Sequence, residues 1–325
     1  MSSLKEVAEL AGVGIATVSR VINNYPGVSP KMRAKVQRAI DALDYIPDEQ
    51  ARNFKLQTSN MVALFLPYVS NPFLAKVAYH VENELYKHDL KMMLCNSEAH
   101  PEKEKDYLDL VSKNKALGII GITYNDINDF LDTNIPFVCI DRFLGRKIPS
   151  VASDNFAGGR MALRALVRSG CKKIAFIGDT GGMHSEVKKR RSGFKHEAEE
   201  LGITPYFHDK RITSGYLHND FDFVDKLFEK YPDVDGVFAI SDLLAAAVVE
   251  RARLKGVSVP KQLKVIGFDG IQDNEYFSPY LSTIVQPVEQ MAKVAVELLL
   301  QKIANPKMRT DTQIIPVTFR QGETS

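Results

Sequence analysis

Two rhythms of apolar residues divide the chain. Up to residue 45 they recur every three or four positions, the period of amphipathic helices; from Met61 they gather into short continuous runs. Ser3-Leu-Lys-Glu6 has the spacing of a capping box, which predicts a helix burying Leu4, Val7, Ala8 and Ala11 and stopped by Gly12. A second helix follows from Ile15 to about Asn23, burying Val18, Val21 and Ile22. Two short helices joined by a glycine turn form a helix-turn-helix. A third starts at Ser29-Pro30, a cap followed by proline in the first turn, and runs to about Leu43 on a face of Val36, Ala39, Ile40 and Leu43.

Beyond Met61 the apolar runs read as strands at 61–67, 91–95, 117–123, 136–141, 173–178, 236–241 and 263–269. Amphipathic stretches at 72–88, 101–114, 157–169, 185–201 and 242–255 read as helices between them, and a last one follows Val288 with Met291, Val294, Ala295, Leu298 and Leu299 on one face. Strands buried on both faces and alternating with helices imply parallel sheets covered by helices. The fold class is α/β: an all-α helix-turn-helix headpiece (1–46), a hinge or linker (47–58), and two doubly wound parallel-sheet subdomains within 59–325. The first subdomain would take 59–157 and 288–314, the second 158–287 and 315–325, with about ten strands in two tandem sheets.

Composition narrows the class. The chain has 325 residues, 45% hydrophobic and 25% charged, enough for two or three ordinary domains. Cys95, Cys139 and Cys171 are scattered, without CxxC spacing, and read as buried small hydrophobes in a reducing compartment. The first residues lack a basic region followed by an apolar stretch, and no apolar run approaches the roughly 18 residues of a membrane span. A cytoplasmic protein is therefore expected, with no membrane partner. Net charge is only +2, but residues 1–40 hold six basic side chains against Glu6 and Glu9, placing a local excess where a phosphate-facing surface would lie.

The exposed face of the second helix carries Ile15, Ala16 and Thr17 with Ser19, Arg20 and Asn23. Short donors and one arginine suit a helix entering a major groove. In open α/β sheets ligands bind beyond the carboxyl ends of the strands. Asn71, Asn96, Asp141-Arg142, Asp179, Ser241-Asp242 and Asp269 concentrate there; each reads alone as a helix cap or as a ligand contact. An enzyme on such sheets is the competing class. No G-x-G-x-x-G follows the first strand, Gly178-Asp-Thr-Gly181-Gly182 has the wrong spacing, and the seven histidines are dispersed. Neither a cofactor nor a metal site is expected.

The first fifty-odd residues resemble the headpiece of the lactose/galactose repressor family: AGV, ATVSRVIN, VSP and DYIP-x-x-x-AR all match without gaps. By that resemblance Ile15 and Ala16 select the operator, Arg20 reads a base, and Thr17, Ser19, Asn23 and Ser29, with Ser3 and Tyr45, contact DNA. It further implies a hinge helix over residues 47–55 that orders on operator DNA, bringing Ala51, Arg52 and Phe54 to the minor groove. Phe54 stands where the family usually has leucine, and Asp48-Glu49 is more acidic than usual. Phe54 either wedges a central base step or packs in the dimer beside Leu56.

The resemblance continues through NPF (71–73), SDNFAGGRMA (153–162), R-x-x-GF (190–194), SD (241–242), GFDG (267–270) and PYLSTIVQP (279–287). CNSEAHPEKEKDYL and FSPYLSTIVQP look most like the sucrose-operon repressors within the family. It implies subdomains of the periplasmic-binding-protein type and a sugar or sugar-phosphate effector in the cleft between them. Asp141, Arg190, Tyr216, Ser241 and Asp269 match pocket positions, with Asn71 and Phe73 at the rim. Ser241 replaces the asparagine of some members. A homodimer on a pseudo-palindromic operator, acting as a regulator and not an enzyme, completes the expectation.

Overall fold

The computed structural model describes residues 2–23, 25–45, 59–123, 125, 135–145, 147–179, 185–210, 221–272 and 280–325. The chain divides into two units, Met1–Ser59 and Asn60–Ser325.

The first unit is three helices, α1 (Leu4–Leu10), α2 (Ile15–Ile22) and α3 (Pro30–Ala42). The capping box forms: the Glu6 backbone N–H donates to Ser3 Oγ, and the Ser3 N–H donates to Glu6 Oε2 at 2.6 Å. The Ser3 N–H and hydroxyl, both donating to the Glu6 carboxylate, hold that carboxyl below its ordinary range. Gly12 turns the chain at φ +52, a left-handed conformation that favours glycine. Val7, Ala8, Ala11, Val18, Val21, Val36 and Ala39 make the core. Leu4, Ile22, Ile40 and Leu43 are half-buried around it instead of fully enclosed, because three short helices have too little surface to cover them.

The second unit holds two six-stranded sheets. Sheet one has the order β11-β5-β4-β3-β1-β2, built from β1 (Met61–Leu66), β2 (Lys91–Asn96), β3 (Gly118–Gly121), β4 (Phe137–Ile140), β5 (Ser150–Ser153) and β11 (Gln313–Ile315), all parallel. Sheet two has the order β12-β10-β9-β8-β6-β7, from β6 (Ile174–Asp179), β7 (Tyr206–Lys210), β8 (Gly236–Ala239), β9 (Lys264–Asp269), β10 (Ser282–Val285) and an antiparallel edge, β12 (Thr318–Arg320).

The unbroken apolar run of β1 has a simple cause. Val62, Leu64 and Leu66 face one layer, packed with α4 (Pro72–Lys87) and α10 (Val288–Ala304), while Ala63 and Phe65 face the other, with α5 (Pro101–Lys113). Both faces are dry, so both are apolar. Sheet two is covered likewise, by α6 (Asn155–Arg168), α7 (Lys188–Glu200), α8 (Phe221–Lys230) and α9 (Asp242–Leu254). The three cysteines are free and buried; burial raises the Cys95 thiol to about 12 and Cys171 to about 11.

Three crossings join the sheets. The chain leaves sheet one after β5 and enters α6; it returns between β10 and α10; it leaves again between β11 and β12. The final helix therefore packs on the first sheet. Helix α6 begins at Asn155, two residues earlier than predicted, because the Asp154 carboxylate accepts from the Ala157 N–H at 2.9 Å. Beyond the seven runs named as strands the structure adds β5, β7, β10, β11 and β12, making twelve among the described residues where about ten were expected in all; α8 lies outside the helical stretches named.

Candidate functional site

Two surfaces gather the residues singled out by sequence. On the first unit, α2 presents Ile15, 48% exposed, together with exposed Ala16 and Arg20 and half-buried Thr17 and Ser19. Val18 and Val21 point the other way, into the core, and so fix which side of the helix is free. Asn23 closes the helix, donating from Nδ2 to the Ser19 carbonyl at 2.7 Å. Ser29 caps α3 by accepting from the Met32 N–H at 3.3 Å, and Ser3 is engaged in the capping box. The Tyr45 ring rests against the three-helix core.

One contributor escaped the sequence reading. Arg33 of α3 reaches across to donate to the Val21 carbonyl at 3.4 Å and the Tyr25 carbonyl at 3.2 Å. It thereby satisfies acceptors at the end of α2 and braces that helix. Nothing in the spacing of a basic residue distinguishes such a brace from a phosphate contact. Ala51, Arg52 and Phe54 lie outside the described residues, as does Tyr216.

The second surface lies where the chain crosses between the sheets. Asp141 follows β4 and Asp269 ends β9; both have positive φ, +53 and +119, so each carboxylate is aimed by a backbone conformation that L-residues avoid. Arg190, in the first turn of α7, is 3% exposed. Its Nε donates to Asn155 Oδ1 at 2.7 Å, and its Nη1 donates to the Ile240 carbonyl at 2.7 Å and to Asp269 Oδ1 at 3.2 Å. The guanidinium lies over the Phe268 ring, 3.6 Å from its centroid.

From there the bonds close into a circuit. Gln286 Nε2 donates to Asp269 Oδ1 at 2.8 Å, and Ser153 Oγ donates to Gln286 Oε1 at 2.6 Å. The Ser153 N–H donates to Asp141 Oδ1 at 3.3 Å, and Asn155 Nδ2 donates to the same oxygen at 3.4 Å. Six buried polar residues, Asp141, Ser153, Asn155, Arg190, Asp269 and Gln286, thus form one ring. Ser153 and Asn155 sit at the first crossing and Gln286 at the second, so the ring ties the crossings together. Burial raises both carboxyls above their ordinary range, while the Arg190 charge pulls against it.

Behind the ring, fully enclosed Asp242 accepts from the Gly270 and Ile271 N–H groups at 2.8 and 2.9 Å and from the Thr283 hydroxyl. It pins the turn that follows Asp269. Burial raises its pKa too.

Other residues named from sequence take different places. Asn71 caps α4, its Oδ1 accepting from the Phe73 and Leu74 N–H groups at 2.8 and 3.3 Å. Phe73 packs inside the apolar core of sheet one. Ser241 caps α9, accepting from the Leu244 N–H at 3.3 Å. Of the alternatives open for strand-end residues, the cap holds for Asn71 and Ser241. Ser153, Asn155 and Gln286 lie inside the SDNFAGGRMA and PYLSTIVQP motifs but were given no role of their own. An open concavity of about 590 Å³ beside β1 and β2 is lined by Tyr68, Ser70, Asn96, Glu98 and His100 among others, and no member of the ring reaches it. The ring, with its converging buried charges, carries more chemistry than this concavity. Among the described residues no group of histidine, cysteine and carboxylate side chains could hold a metal, and no helix is long and apolar enough to cross a membrane.

Comparison with known proteins finds matches to both units. Residues 3–48 match the lacI family of bacterial regulatory proteins, and residues 163–325 match a periplasmic binding protein-like domain. The chain is 35% identical over 324 residues to the sucrose operon repressor of Streptococcus mutans serotype c, covering 99% of each. It is 34% identical over 328 residues to the ribose operon repressor of Halalkalibacterium halodurans, covering 100% of this chain and 97% of that one. Among solved structures, a complex of the transcriptional regulator CelR with cellobiose is similar at TM-score 0.71 and 26% identity, covering 100% of both chains.

Proposed function

Because the chain belongs to the lacI family of bacterial regulatory proteins, we propose that it represses a sugar-utilisation operon and that a sugar switches its hold on the operator. The family consists of DNA-binding regulators, not enzymes. The observation that carries the reading is the pairing, in one chain, of an exposed donor-bearing α2 face with a buried carboxylate–guanidinium ring at the crossings of a two-sheet unit. Relatives named as sucrose and ribose operon repressors, and a related regulator holding cellobiose, support a sugar as the effector. The effector lies in the cleft between the two subdomains, with Asp141, Arg190 and Asp269 as its polar anchors and Tyr216 as a stacking surface. It acts in the cytoplasm as a homodimer, because one headpiece reads only a half-site and a two-fold protein reads two-fold DNA.

The test begins with footprinting on DNA fragments that the protein selects from a random-sequence pool, alongside sedimentation of the protein. We expect protection of two symmetric half-sites by a dimer, and a shift in DNA affinity when the correct sugar is added. A monomer that protects one half-site would overturn the dimer, and a DNA affinity indifferent to every sugar would overturn the switch.

Arg20 supplies the sharper check on the reading helix. Arg20→Ala is expected to weaken operator binding by about 1–3 kcal/mol for each base the side chain no longer reaches, while binding to random DNA changes much less. An unchanged ratio of operator to random-DNA affinity would assign Arg20 to phosphate instead.

A further inference from the structure

We infer that the effector is a neutral sugar without a phosphate group, and that the ring itself imposes this choice. The inference rests on the sugar-binding reading above and narrows it to one chemical class.

The ring's bonds decide which valences remain for a ligand. Asp141 and Asp269 each use Oδ1 within the ring, and neither Oδ2 has a donor among the described residues. Arg190 uses Nε once and Nη1 twice, which leaves Nη2 without an acceptor among those residues. Toward a ligand the cluster therefore offers two acceptor oxygens and one donor nitrogen. Neighbouring hydroxyls of a polyol match that set, since each O–H both donates to a carboxylate and accepts from a guanidinium.

A phosphate group matches it poorly, for two independent reasons. Bidentate recognition needs two parallel N–H groups on one edge of the guanidinium. Asn155 occupies Nε, and Ile240 with Asp269 occupies Nη1, so neither edge of Arg190 that includes Nη2 retains its second nitrogen. A phosphate also offers acceptors alone, and would bring further negative charge against Asp141 and Asp269, to which, among the described residues, only Arg190 donates from a cationic side chain. Lys189, nearby on α7, is ion-paired with Glu186.

Calorimetry on the full-length protein tests this with matched pairs: sucrose and sucrose 6-phosphate, ribose and ribose 5-phosphate, fructose and fructose 6-phosphate. In any pair that binds, the free sugar should be at least tenfold tighter. A phosphorylated member binding equally or more tightly would overturn the inference and leave the sugar reading intact. If no member of any pair binds, both fall together. Asp141→Asn and Asp269→Asn each replace one acceptor oxygen with a donor, and should lower the preference for the free sugar at least fivefold. A preference unchanged in both variants would remove the ring from the discrimination and overturn the assignment.

Discussion

Alanine in place of Gly193 is expected to destabilise the second unit by about 3 kcal/mol or more, the upper range for overpacking a tight interface. A Cβ at Gly193 would lie 1.9 Å from the Phe156 carbonyl oxygen, and one at Gly159 would lie 2.0 Å from the Arg190 carbonyl oxygen. Helices α6 and α7 meet backbone to backbone at this pair, and backbone cannot swing aside as a side chain can. The sign is diagnostic, because glycine to alanine inside a helix normally stabilises by up to about 1 kcal/mol. Arg190 lies less than one turn from Gly193, so the displaced helix should weaken sugar binding as well. Urea denaturation of Gly193→Ala and Gly159→Ala checks the stability; a midpoint at or above that of the native protein would mean the helices separate at little cost.

Arg190→Met is expected to do similar damage by a different route. Removing one partner of a buried ion pair costs about 3–5 kcal/mol, since the other charge stays enclosed without compensation. Here Asp269 would lose its cation, while Asn155 Oδ1 and the Ile240 carbonyl would each lose a donor. The double variant Arg190→Met with Asp269→Asn removes both charges and should recover part of the loss. Thermal and urea unfolding of the two singles and the double measure that coupling. Losses that simply add would show that the pair contributes nothing beyond what each side chain contributes alone. Sugar binding should be lost in both variants that lack Arg190, whatever the stability.

Much of the architecture was written in local patterns. The Ser3–Glu6 box, the Ser29-Pro30 cap and the unbroken MVALFL run each carry their cause within a few residues, so each could be read directly. The missed strands lack such a signature. β11 and β12 have three residues each; β7 is an edge strand, YFHDK, half wet and hence polar; and β5, SVAS, is buried but small. The site divides along the same line. Asp141, Arg190 and Asp269 were legible through strand ends and the family resemblance, and the structure brings them together. Ser153, Asn155 and Gln286 were quoted only as parts of motifs, because their roles depend on partners far along the chain: Ser153 meets Gln286 across 133 positions and Asn155 meets Arg190 across 35. Asn71 and Ser241 show the converse: a polar residue after a strand is first a cap for the helix that follows.

The three crossings also set a timetable for the newborn chain. Sheet one needs α10 and β11, at residues 288–304 and 313–315, and sheet two needs β12 at 318–320. Neither lobe can be finished while the ribosome still holds the last dozen residues, whereas the three helices of the first unit, with a core of their own, emerge at the outset. Synthesis therefore yields the helix-turn-helix unit well before the two-sheet unit is complete. A message cut short would leave headpieces without the larger unit.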